Sequence, residues 1–73
     1  MTLKEYKKQL SNYLESIISA DRLEETVGQA NYDHYISKKN FNYDLAIQNR
    51  TRAFRATVRR EFCQELIDFI NKE

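Results

Sequence analysis

The sequence predicts an all-α fold: a small helical bundle of three or four helices, with a long C-terminal helix. Three observations lead there. Proline is absent, glycine occurs once, at Gly28, and no Asn-Gly or Asp-Gly pair offers a hairpin turn. Apolar residues recur at steps of three and four rather than two. From Asp44 to Asn71 the chain contains neither proline nor glycine. At 73 residues a single domain over 1–73 is expected.

The first helix is expected over about residues 3–19. Thr2 and Glu5 stand at capping-box spacing. Leu3, Tyr6, Leu10, Tyr13, Leu14, Ile17 and Ile18 then form one apolar face. Ser19-Ala20-Asp21 reads as a link, with Asp21 capping a second helix over about 22–38. That segment is expected to be interrupted near Gly28, as a left-handed C-cap. The alternative is one helix that tolerates the glycine at about 1 kcal/mol. Lys38 and Lys39 close it, and Phe41-Asn42-Tyr43 is expected to anchor in the core. Asn42 or Asp44 caps the last helix, over about 44–71, some 42 Å long. Its inward face is expected to hold Ile47, Phe54, Val58, Phe62, Leu66, Phe69 and Ile70. Toward the end the apolar arc widens to roughly 160°, where one neighbouring helix needs about 100°. Two elements, or one element and a second subunit, should pack there.

The net charge of +1 is no general nucleic-acid signature. The order of charges is more informative. Between Leu45 and Arg60 there is no acid, while Arg50, Arg52, Arg55, Arg59 and Arg60 account for five of the six arginines. Glu61, Glu65 and Asp68 follow. Arg52, Arg55 and Arg59 share one helix face. Helix stability alone would reverse this order, because cations favour a helix C-terminus and anions its start. Three uses are open to the stripe: a solvated face partly paired with Glu15, Glu24 and Glu25, a protein interface, or contact with nucleic-acid phosphates. The acids have candidate partners in Lys4, Lys7 and Lys8 on the first helix.

Several chemistries lack their residues. Cys63 is the single cysteine and sits among Phe62, Leu66 and Ile67, as a buried small hydrophobe would. His34 is the single histidine and has no orienting partner at a suitable spacing. No metal-ligand spacing and no glycine-rich phosphate loop occur. No catalysis, cofactor or metal is therefore expected. A helix-turn-helix around Gly28 is disfavoured by Glu24, Glu25 and Asp33. The N-terminus has no signal-peptide core and no run is long enough to span a membrane, so a cytoplasmic protein is expected.

The function expected is that of a small helical accessory or regulatory protein. It would bind another protein, with an acidic surface, or a second copy of itself. Arg50, Arg52, Arg55, Arg59 and Arg60 are the contact residues, with Lys38, Lys39 and Tyr43 as flanks. The alternative is a nucleic-acid-binding regulator that uses the same arginines on phosphates.

Overall fold

Thr2 opens the first helix. Its side-chain oxygen accepts the Glu5 amide at 3.1 Å, satisfying one of the amides a helix start leaves without a partner. From there α1 runs without a break from Leu3 to Ile36 in the computed structural model, which describes residues 1–72. Ser37–Asn42 reverse the chain. Ser37 donates its hydroxyl to the His34 carbonyl, and the Asn42 amide reaches back to the Tyr35 carbonyl at 2.8 Å. Asn42 then caps α2 (Tyr43–Asn71) by accepting the Leu45 amide at 3.1 Å. The two helices lie antiparallel in a hairpin of 57 × 15 × 13 Å.

Two helices thus stand in place of the three or four expected. Ser19-Ala20-Asp21 is not a link, and Gly28 is not a C-cap: both lie inside α1, and Gly28 has no positive φ. Neither residue breaks a helix once a neighbour covers it. Asp21 is matched by an arginine from α2, and Gly28 marks a close approach of the two backbones. The Phe41–Tyr43 turn is not anchored in the core either. Phe41 and Tyr43 are 61% and 62% exposed, because a two-helix hairpin has no third layer to receive them.

The interior follows a seven-residue repeat on each helix. On α1, Leu10, Leu14, Ile17, Asp21, Glu24 and Gly28 step by four and three. On α2, Ala46, Asn49, Ala53, Ala56, Arg60, Cys63 and Ile67 do the same. All of these residues are buried or half-buried, as expected for two helices wound along a shared seam. The seam changes character along its length. At the open end Leu14, Ile18, Cys63 and Ile67 form an apolar core, with Leu10, Ile17, Leu66 and Ile70 packed around it. The middle is ionic. Toward the turn it becomes small and polar, with Asn31 donating to Asn49 at 3.1 Å.

The inward face of α2 is therefore only partly the one expected from residue size: Leu66 and Ile70 pack against the core at the open end, and the rest of the expected face does not. Ala46 and Ala56 are 0% and 1% exposed, while Phe54, Phe62 and Phe69 are 67%, 59% and 71% exposed. Ile47 and Val58 also face outward. Small residues meet α1, and large apolar residues line the outer side.

Candidate functional site

The arginines of α2 divide into those that face α1 and those that do not. Arg59 donates from Nε and Nη2 to both carboxylate oxygens of Asp21, at 2.6 to 3.0 Å. Asp21 is 2% exposed, so this fork is what offsets the cost of burying its charge. Arg52 makes a two-pronged contact with Glu24, and Arg60 donates to Glu25 at 2.6 Å. Arg50 donates to the neutral Gln29 side chain at 2.7 Å and lies 5.5 Å from the centre of the Tyr32 ring. Its charge has no carboxylate opposite among the described residues. Of the five arginines, Arg55 is the one with no hydrogen bond or ion pair among the described residues.

These contacts leave electrostatic signatures. The hydrogen bond from Arg52 is the largest influence on Glu24 and holds its carboxyl below the usual glutamate range, against the opposing effect of burial. The partner hydrogen bonds raise Arg52, Arg59 and Arg60 above the ordinary guanidinium value. The middle of the seam is thus a ladder of fixed ion pairs. Its antiparallel register is set by matched levels: 21 with 59, and 31 with 49.

Three of the five candidate contact residues, Arg52, Arg59 and Arg60, therefore join the two helices to each other. Glu24 and Glu25 take two of them, and Glu15 takes none among the described residues. Lys38 and Lys39 lie in the turn and Tyr43 opens α2. Tyr43 is twelve residues, about 18 Å of helix, before Arg55. The turn flanks therefore do not share one patch with Arg55. At the other end neither Lys4 nor Lys8 makes an ion pair among the described residues, so they do not engage Glu61, Glu65 or Asp68.

Beyond the arginines, the prominent surface feature is the outer side of α2. Ile47, Phe54, Val58, Phe62 and Phe69 form an apolar ridge along it, with Arg55 beside Val58 and Phe62. Near the open end the apolar surface extends onto α1, where Leu3, Tyr6 and Leu10 flank a groove with Phe69 and Ile70. Reading the large residues as core hid this surface. The signal that would have found it is the uninterrupted heptad of Ala46, Ala53, Ala56 and Cys63, which offers α1 a second, closer-packing face.

Cys63 is 4% exposed and belongs to the core. His34 packs edge-on against Tyr35 at 4.9 Å. Among the described residues no three His, Cys, Asp or Glu side chains converge as metal ligands would, and no helix is long and apolar enough to cross a membrane. Comparison with known protein families, curated proteins and solved structures gives no match.

Proposed function

We propose that this chain is a small, non-catalytic helical protein that works by binding protein, as a regulator or inhibitor, through the outer side of α2. The observation that carries this reading is the inversion of α2, with alanines against its own partner helix and phenylalanines toward solvent. Large contiguous apolar surfaces on soluble proteins mark contact sites. Aromatic residues beside an arginine are the composition of binding hot spots. In this reading Arg55 is the arginine that meets the partner and Arg50 assists it. Arg52, Arg59 and Arg60 tie α2 to α1. A lone buried thiol suits a reducing compartment, and the proposal places the protein in the cytoplasm.

The nucleic-acid reading loses support from the same geometry, because three of its five phosphate-binding arginines already hold carboxylates. A photo-crosslinking amino acid in place of Phe62, introduced in the native cell, separates the readings. The expected product is a polypeptide adduct that survives nuclease. Arg55→Glu should weaken it about tenfold, the scale of a hot-spot contact. An adduct lost to nuclease, or no adduct at all, overturns the proposal.

A further inference from the structure

We infer that the partner seated on the α2 ridge is a second copy of the chain, with the two α2 helices antiparallel across a two-fold axis at Val58. The inference rests on reading the ridge as a protein-docking surface, and three independent features identify the occupant.

The first is area. A compact monomer of 8.8 kDa exposes about 4,800 Å² by the size scaling of folded proteins, whereas this hairpin exposes 5841 Å². The excess is about 1,000 Å², close to the roughly 800 Å² each partner buries in a standard interface. The radius of gyration is 16.6 Å, against about 11 Å for a compact chain of this length. A second hairpin laid alongside covers an area of that size and thickens the rod without lengthening it.

The second is spacing. The outer ridge reads Ile47, Thr51, Phe54, Val58, Phe62, Glu65 and Phe69. Counted from Val58, these positions lie four, seven and eleven residues away in both directions. A two-fold axis at Val58 therefore brings Phe54 level with Phe62 of the second copy, and Ile47 level with Phe69 of the second copy. The surface is self-complementary, as a two-fold interface requires.

The third is charge. Among the described residues, Arg50 and Arg55 of the basic half have no carboxylate partner. In the acidic half, Glu61, Glu65 and Asp68 make no ion pair among the described residues. The same axis sets Arg50 between the levels of Glu65 and Asp68 of the second copy, and Arg50 and Asp68 lie on the same flank of the ridge. Parallel pairing would set every residue level with itself, arginine on arginine and Glu65 on Glu65. The basic-then-acidic order, unfavourable for the isolated helix dipole, is what an antiparallel pair of identical helices needs. The assembly is a four-helix bundle in which each copy supplies two helices.

Sedimentation equilibrium and disulfide trapping on the purified chain test this. A dimer is expected at micromolar concentration. Cys63 is buried, so an added thiol on the ridge is the accessible one. Val58→Cys should cross-link to itself. Ile47→Cys should not, yet should cross-link when mixed with Phe69→Cys. Two charge reversals, Arg50→Glu and Glu65→Arg with Asp68→Arg, should each weaken self-association about tenfold, and mixing the two proteins should restore a dimer. A strict monomer at several hundred micromolar overturns the inference, as does an Ile47→Cys protein that traps with itself. A monomer whose residue-62 crosslinker still captures a different protein in the cell overturns the second copy as occupant and leaves the ridge reading standing.

Discussion

Gly28 sits where α1 and α2 come close. A methyl group added to it would stand 2.9 Å from the Asn49 carbonyl oxygen and 3.0 Å from the Ala53 methyl. The first of these is backbone and cannot rotate away, so α2 would have to move. Overpacking of this kind costs about 1–3 kcal/mol, and the better helix propensity of alanine returns at most about 1. Gly28→Ala is therefore expected to destabilise the hairpin by about 1 kcal/mol and lower its melting temperature by roughly 4–8 °C. Calorimetry that finds a higher melting temperature would show that the glycine does not set the helix separation. Asp21 illustrates a second feature of single positions. In sequence it has the signature of a cap, yet it is a buried acceptor for Arg59. Its role depends on a residue thirty-eight positions away.

At the scale of the elements, ion pairs do in the middle of the seam what apolar packing does at the open end. They fix which level of α2 meets which level of α1. The pairing of Glu24 with Arg52 predicts a pH dependence of definite sign. The folded carboxyl lies below its ordinary value, so its contribution to stability is complete above the ordinary glutamate pKa of about 4.3. That contribution disappears as pH falls from there through the folded value. Urea midpoints measured across this range should drop with acidification, and Glu24→Gln should flatten part of the slope. A Glu24→Gln slope identical to the parent's would show that the pair contributes nothing to stability in this range. How much of α2 was legible beforehand follows from this seam. A long stretch free of breakers is enough to dictate a helix, and its charge reversal is visible in the sequence. The inward face was legible only at Leu66 and Ile70, because α2 carries two stripes at nearly the same period. One is small and the other large, and residue size favoured the wrong one.

For the molecule as a whole, a hairpin with one core cluster and a row of exposed phenylalanines is poorly covered on its own. Small chains generally need a staple, and no disulfide or metal cluster is found here among the described residues. If association provides it, stability is inseparable from protomer concentration. The melting temperature should then rise by roughly 3–6 °C for each tenfold increase in protein concentration, equivalent to about 1.4 kcal/mol. A melting temperature independent of concentration would leave the ridge to another protein.

The sequence by itself determined the helical class, the Thr2 start of α1, the course of α2 and the reversal of charge along it. Each is a local property, decided by breakers, caps and spacing within a few turns. Only the tertiary structure decided that α1 passes through Asp21 and Gly28 and that the alanine stripe faces inward. It also decided that three arginines pair with acids of α1 while Arg55 and the phenylalanines point away from it. Those outcomes turn on which residues of α1 stand opposite which residues of α2. A glycine and a buried aspartate on one helix select small residues and arginines on the other, and periodicity along a single helix does not contain that match.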